Sequence, residues 1–505
     1  MNYGFCNTCQ CLVPVSHLEK DGRVYLTKEC AQCGLTQTLI SSDAKVWNEK
    51  RHAAGYRDED AKDCTLNCLS CKHGQNPMIV FVDVTNRCNL NCPICVANIS
   101  SMGFSFEPPL AYFEKIFDHL ATFKPVPSVK LFGGEPTVRD DLIDIINLAH
   151  SRGISTNVVT NGLRLADEEY CRKLLATGTK PNISFDGRDE DIYKKFRGNR
   201  ESYRLKLKAL ENIRKYTQRK ITLMCVVAKG ISDHLIADLV HFCHENADFI
   251  NALQFLPIIP TWKPGEVEAE ATTVEDTEQI LEKAIPGVEF VPAGMLNFET
   301  FTKYFSGQRT TFGNAHPNCE SVAKLISDGT SFVPTSRYLK KPLLEIFGEL
   351  RKKDRQLGIR LEGFEQGILG GILARTGLRK RIAKMVILLS AMNSIRKYGN
   401  FEEIVGPHRL LKLSRIFTGV IAGRKLKDVL GENTRLHNTL TLIVLPFEEL
   451  TALESARLEL CPAAFAYEDP ETHLARTVPA CAWLLFKNDI LRKTTDHYGL
   501  AWTTH

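Results

Sequence analysis

Cys88, Cys92 and Cys95 stand as Cys-x-x-x-Cys-x-x-Cys just after the apolar run Ile79–Val84. Three thiolates at this spacing can hold three irons of a cubane [4Fe–4S] cluster. The fourth iron then lacks a protein ligand nearby, and an open iron is where a small molecule binds and reacts. By themselves such cysteines equally allow a structural zinc or a plain electron-transfer cluster. Downstream, Phe132-Gly133-Gly134-Glu135-Pro136 ends a second apolar run. Backbone without side chains lets a ligand come close, and its carbonyls with Glu135 can accept hydrogen bonds from an ammonium group. A tight turn is the plainer use of a Gly-Gly pair.

Later apolar runs also end in polar residues. One ends in Thr160-Asn161-Gly162, another in Ile183-Ser184-Phe185-Asp186-Gly187. Ser184 and Asp186 alternate on one face, as contacts to ribose hydroxyls require. Arg197 can fork onto a carboxylate, or be a solvated charge at a helix start.

Two further cysteine sets remain. Cys6-x-x-Cys9 and Cys30-x-x-Cys33 form two knuckles whose four sulfurs suit one zinc or one iron, with Cys11 a competitor. Cys64, Cys68 and Cys71 repeat the Cys-x-x-x-Cys-x-x-Cys spacing and need a fourth ligand. Cys319 in His316-Pro317-Asn318-Cys319 is the candidate, with His73 or His316 as substitutes. Cys171, Cys225, Cys243, Cys461 and Cys481 read as core thiols.

The elements that must position these residues alternate. Strands are expected at Ile79–Val84, Val129–Phe132, Ser155–Val159, Asn182–Phe185, Thr222–Val227 and Ala252–Leu256. Helices are expected at Leu110–Thr122, Asp141–Ser151, Asp167–Ala176, Glu201–Tyr216 and Asp233–Glu245, with a further capping helix at Val274–Ala284. This is an α/β pattern of six units, a partial (β/α)6 TIM-like barrel with chemistry at the carboxyl ends of its strands. The expected organisation is a metal domain over 1–57, an auxiliary cluster segment over 58–76, the barrel over 77–265, a capping segment over 266–336, and a mostly helical region over 337–505. Helix formers dominate Leu343–Gln356, Gly367–Lys397 and His408–Leu430.

Seventeen cysteines, eleven of them in the first 95 residues, point to metal ligands rather than disulfides, because no secretion signal is legible at Met1-Asn2-Tyr3-Gly4-Phe5-Cys6. No apolar stretch has the length to span a bilayer. Net charge is +5, but Arg337 to Val429 carries 21 Lys/Arg against 8 Asp/Glu. Such a basic segment calls for an anionic partner or surface. The knuckle region lacks a basic patch with interleaved aromatics, so nucleic acid is not the expected partner.

Taken together, the Cys88-Cys92-Cys95 loop, the Gly-Gly-Glu-Pro turn and the polar strand ends resemble the radical S-adenosylmethionine (SAM) superfamily. The resemblance implies that Cys88, Cys92 and Cys95 hold the SAM cluster. It implies that Gly133, Gly134, Glu135, Pro136, Asn161, Ser184, Asp186 and Arg197 bind SAM. One electron would cleave SAM to methionine and a 5′-deoxyadenosyl radical, which abstracts hydrogen from an unactivated C–H bond. Ile94 departs from the aromatic residue many members carry there. Adding the two knuckles, Cys64/Cys68/Cys71 and Cys319, the chain looks like the tetraether lipid synthase group, whose members join lipid chains through a new carbon–carbon bond. That narrower resemblance implies a rubredoxin-like iron at Cys6, Cys9, Cys30 and Cys33. It also implies an auxiliary [4Fe–4S] cluster at Cys64, Cys68, Cys71 and Cys319.

The expected partners are SAM, a lipid substrate and an electron donor such as flavodoxin or ferredoxin. The expected place is the cytoplasm, with peripheral contact at the inner membrane face through Arg379-Lys380-Arg381 and Lys384 beside apolar stripes. Two alternatives stand beside lipid coupling: a radical SAM enzyme modifying a peptide or small metabolite, and a non-catalytic electron-transfer or zinc-ribbon protein.

Overall fold

The computed structural model describes residues 2–57, 64–69, 76–259, 267–306, 313, 315–367, 378–406, 408–424, 426–434, 438–447 and 450–500. It opens with an antiparallel sheet in the order β1 (Tyr3–Phe5), β2 (Leu12–Lys20), β3 (Arg23–Cys30), β4 (Gly34–Ser41). Asp21 and Gly22, both at positive φ, make the two-residue turn between β2 and β3, whose twist matches that of the strands. Helix α1 (Ala44–Ala54) starts where the Asp43 side chain accepts from the Val46 amide. Its buried Lys50 lies 3.1 Å from Glu275 and 2.8 Å from Glu278, tying this domain to the barrel's capping helix.

The six expected units follow as β5 (Ile79–Thr85), α2 (Leu110–Ala121), β6 (Ser128–Gly133), α3 (Leu142–Ser151), β7 (Thr156–Thr160), α4 (Glu168–Ala176), β8 (Lys180–Ser184), α5 (Glu190–Arg197), α6 (Ser202–Tyr216), β9 (Ile221–Val227), α7 (Ile236–Glu245) and β10 (Ile250–Pro257). All six strands pair in parallel. Strand β5 is buried along its whole length, as a strand covered on both faces must be. Helix α8 (Val274–Ala284) caps the barrel and begins on a capping box of Thr273 and Asp276. Helix α5 lies in a segment for which the sequence pattern led us to expect no helix.

After β11 (Ser321–Ser327) the chain is helical as expected, in α9 (Leu343–Gln366), α10 (Leu378–Tyr398), α11 (Arg409–Ile421) and α12 (Leu426–Asn433). It then adds what composition hid: three strands, β12 (Thr439–Val444), β13 (Ala463–Glu468) and β14 (Ala475–Pro479), before the last helix α13 (Trp483–His497). Strand β12 pairs in parallel with β10, and β13 in parallel with β5. The C-terminal chain thus clasps the barrel sheet from both sides, with β11 and β14 antiparallel outside.

The clasp is fixed at β5. Phe465 of β13 stacks on Phe81, with centroids 5.1 Å apart, and on Trp483 at 5.4 Å. Trp483 Nε1 donates to Asp83 Oδ2 at 2.8 Å, and Lys487 Nζ lies 3.3 Å from Asp83 Oδ1. Asp83 and Lys487 are both buried. Replacing Asp83 by Ala leaves a buried ammonium and an indole N–H unpaired, so it should destabilise the chain by about 3 kcal/mol in urea unfolding. A loss below about 1 kcal/mol would mean that water reaches this pair.

Candidate functional site

The cysteine loop leaves the end of β5 and is closed at its base by side chains. Asn86 Nδ2 donates to the Phe104 carbonyl at 2.6 Å, and Asn86 Oδ1 accepts from the Phe106 amide at 2.7 Å. Arg87 forks onto Glu107 at 2.5 and 2.7 Å. Within this closed loop Cys88 is exposed, and Cys92 and Cys95 are half-buried. Neither Asn86 nor Arg87 was singled out from sequence. An Asn directly after a buried strand, followed by a return to apolar residues, was the available signal.

The Gly-Gly turn at the end of β6 packs directly on that loop. The Gly134 amide donates to Thr85 O and the Glu135 amide to Arg87 O, each at 2.8 Å. Gly133 sits at φ +135°, and a Cβ there would strike Thr85 O; one at Gly134 would strike Arg87 O. Both glycines are therefore required by close backbone approach, not by a turn alone. Glu135 is buried, and its two oxygens already accept from Thr137 N, Thr137 Oγ1, Thr160 Oγ1 and Asn161 N at 2.6 to 3.0 Å. Its carboxylate therefore holds the ends of β6 and β7 together.

Arg197 closes α5 rather than opening a helix, so the solvated-charge reading is corrected. Its guanidinium forks onto Asp186 with both contacts at 2.8 Å. Burial alone would raise the Asp186 carboxyl, but Arg197 overrides it and holds the group below the usual range. Asp186 also accepts from the Val226 amide and lies behind the cavity wall, so its carboxylate is used by the protein. Beside it lies Lys206, which donates to Ser184 O at 2.5 Å and Ser184 Oγ at 2.8 Å. Burial, then repulsion from Arg197, brings Lys206 down to about 7. Lys206 occupies the inward stripe of α6 with Ala209, Leu210 and Ile213, and a lysine at that spacing was the overlooked signal.

These elements enclose a cavity of about 190 Å³. Cys88, Cys92, Cys95, Gly133, Gly134, Glu135, Asn161, Ser184 and Arg197 all line it, so most of the residues expected from spacing meet in one place. Pro136 and Asp186 do not line it. Lys130, Gln254 and Phe447 line it and were not foreseen. Burial brings Lys130 down to about 8.

The model of the radical SAM superfamily matches residues 82–243. That span runs from the middle of β5 to the end of α7 and contains every cysteine and glycine just described. Residues 82–243 are a radical SAM domain. The N-terminal residues 3–42 match a second model, the HMPTM N-terminal zinc ribbon domain. The chain is similar to the 7,8-dihydro-6-hydroxymethylpterin dimethyltransferase of Methanocaldococcus jannaschii, at 27% identity over 68% of this chain and 72% of that protein. It is 32% identical to the Fe-coproporphyrin III synthase of Methanosarcina barkeri, over 30% of this chain and 38% of that one. The crystal structure of Streptococcus suis SuiB bound to S-adenosylmethionine aligns over 54% of this chain and 68% of that one, at 17% identity and a TM-score of 0.34, too loosely to argue from.

The donor set of the radical SAM domain fits a [4Fe–4S] cluster and SAM. The Gly133-Gly134 turn, packed on the cysteine loop, lines the cavity beside the three cysteines. Arg197 lines the cavity in the field of Cys92, with Lys206 behind it, and Asp186 is the carboxylate they share. A guanidinium there suits the negative charge of a thiolate-held cluster and of the SAM carboxylate.

The zinc ribbon fits a single ion. The sulfurs of Cys6, Cys9, Cys30 and Cys33 lie within 4.8 Å of one another, and Cys11 is outside the set and exposed. The amides of Cys9 and Thr8 draw the Cys6 thiol down to about 6, toward the thiolate that binds metal. Of the residues expected to hold the auxiliary cluster, Cys68 is buried and Cys64 and Cys319 are half-buried, and Cys71 and the alternative ligand His73 lie outside the described residues. Cys319 lines a cavity of about 40 Å³ with Cys461, Cys481 and Glu320. His316 packs its ring on Tyr56 at 4.4 Å, and burial brings it down to about 3, so it is neutral.

Replacing Cys88, Cys92 and Cys95 by Ala should abolish 5′-deoxyadenosine formation, while the ribbon keeps its one metal equivalent in elemental analysis. Undiminished SAM cleavage would refute the assignment. Gly134→Ala forces the turn away from the cysteine loop. Since a misplacement of about 1 Å costs roughly a hundredfold in rate, SAM cleavage should fall by that order with the cluster still visible in absorption spectra.

Proposed function

We propose that this radical SAM enzyme acts on the apolar chain of a lipid, taking hydrogen from an unactivated C–H bond so that a carbon–carbon bond can form. The carrying observation is the apolar part of the cavity lining. It is built from Phe81, Phe132, Val226, Leu256, Ile258 and Phe447. An alkyl chain gains about 25 cal/mol per Å² of apolar surface buried there. A peptide would leave amide groups without partners against the same wall, at a penalty of about 1–3 kcal/mol each. The carbon–carbon outcome rests on the sequence resemblance of the cysteine sets, and the cytoplasmic electron donor on the chemistry's need for one electron.

When bound, the cluster and SAM supply one-electron cleavage of a carbon–sulfur bond and hydrogen abstraction from carbon. The chain's own residues do the rest. Gly133 and Gly134 let the turn pack on the cysteine loop, so that both line the cavity. Glu135 holds Asn161 and Thr160 at the cavity edge. Arg197 and Lys206 supply positive charge. The aromatic wall excludes water, which keeps reactive species from being quenched.

A second reading is methylation of a reduced pterin, as the name of the Methanocaldococcus jannaschii relative has it. Lys130 and Gln254 in the cavity wall favour it, since both can hydrogen-bond a heterocycle. Anaerobic incubation with SAM, a reductant and either a lipid extract or 7,8-dihydro-6-hydroxymethylpterin separates the two. Mass spectrometry should find chain-linked lipid products and an unchanged pterin. Methylated pterin with unchanged lipid would overturn the lipid reading. Phe447→Glu should abolish lipid conversion while leaving uncoupled SAM cleavage measurable, because it buries a charge only in the substrate wall.

A further inference from the structure

Helix α10 is apolar on two sides, and the protein covers one of them. On the covered side Ala383 and Ile387 pack against Leu361, Tyr304 and Phe305. On the other side Met385, Leu389 and Met392 recur at i, i+4 and i+7 with 56%, 51% and 45% of their surface exposed. Ile395 lies beside them at 53%. An ordinary surface helix keeps its second face polar. Scattered exposed apolar residues need no partner, but a helical stripe of large ones does.

The charges on this helix are one-sided. It contains no Asp or Glu. Lys380 and Arg381 are exposed in its first turn, where the positive end of the helix dipole disfavours cations. Lys384 lies over the Phe305 ring, and Arg396 is exposed near the far end. Lys397 is already paired with Glu349 at 2.6 Å. Arg381 and Arg396 thus bracket the exposed stripe near its two ends, with Lys380 exposed beside Arg381 in the first turn.

We propose that the outward face of α10 docks on an anionic lipid bilayer, with Met385, Leu389 and Met392 among the acyl chains and Lys380, Arg381 and Arg396 at the phosphates. An apolar stripe framed by cations matches a surface whose interior is apolar and whose boundary is negative. A second copy of the chain fits poorly, because a two-fold pairing would set these cations against one another with no acid on the helix to answer them. No helix among the described residues is long and apolar enough to cross a membrane, so the contact is peripheral. This surface is independent of what the barrel cavity accepts.

The test uses the full chain with its metals, sedimented with vesicles of phosphatidylcholine alone or mixed with phosphatidylglycerol. Binding should appear with the anionic vesicles and fall steeply with salt. The combined K380Q, R381Q and R396Q variant should bind on the order of a hundredfold more weakly. M385Q with L389Q should also release the protein, which a purely electrostatic contact would not require. SAM cleavage in solution should be unchanged in both variants, which shows that they are folded. Failure to bind anionic vesicles at low salt, or equal binding by both variants and the parent, would overturn the proposal. So would a dimer without lipid that M385Q with L389Q dissociates.

Discussion

The site depends on one backbone contact, the packing of the Gly133-Gly134 turn on Thr85 and Arg87. Two amide-to-carbonyl bonds of 2.8 Å draw the end of β6 onto the start of the cysteine loop. The approach is closer than any side chain allows. It fixes the distance between the sulfurs and the cradle that faces them. Further side chains hold each of these two segments in place. Asn86 and Arg87 close the loop, while Glu135 ties the turn to Thr160 and Asn161 on the next strand.

The same logic explains why the C-terminal chain returns to the barrel. Strand β5 carries the loop, so its position must not drift. Trp483 and Lys487 reach Asp83 from the last helix, and Phe465 stacks on Phe81 from β13. The zinc ribbon is tied in from the other end of the sequence: Asn2 and His17 both meet Glu454, at 2.6 and 2.8 Å. Metal in the ribbon therefore stiffens a contact with the C-terminal region, since a preformed metal site and the fold around it are coupled.

The local pattern made the barrel legible. Its strands are short apolar runs separated by amphipathic helices, so residue periodicity found all six to within two residues at either end. The cysteines and glycines were legible because their chemistry leaves few other uses at that spacing. What escaped notice depends on contacts distant in sequence. Strands β12 and β13 looked unremarkable beside long stretches of helix formers, and only pairing with β10 and β5 defines them. Lys206 and Lys130 looked like ordinary lysines, because burial is a property of the packed fold. Asp186 lies at a strand end, where ligand contacts are expected. Arg197, eleven positions on, takes its carboxylate first.

That last pairing shapes how charge is arranged around the cavity. Asp186 is a buried carboxylate between the half-buried Arg197 and the buried Lys206. It balances Arg197 directly, and Lys206 is left with the Ser184 carbonyl and hydroxyl as partners. An ammonium in that position is held down to about 7, which measures how incomplete its compensation is. The opposite wall offers no remedy, since Glu135 is committed to four donors. Arg197 itself lines the cavity beside Cys92, where thiolates and a carboxylate-bearing ligand would bring negative charge and favour the protonated form of Lys206 behind it. The far wall, from Phe81 to Phe447, is aromatic and aliphatic apart from Lys130 and Gln254. Thiolate-bearing, cationic and apolar side chains thus line one small cavity together, so a ligand that carries both an ionic group and a carbon skeleton finds partners for each within it.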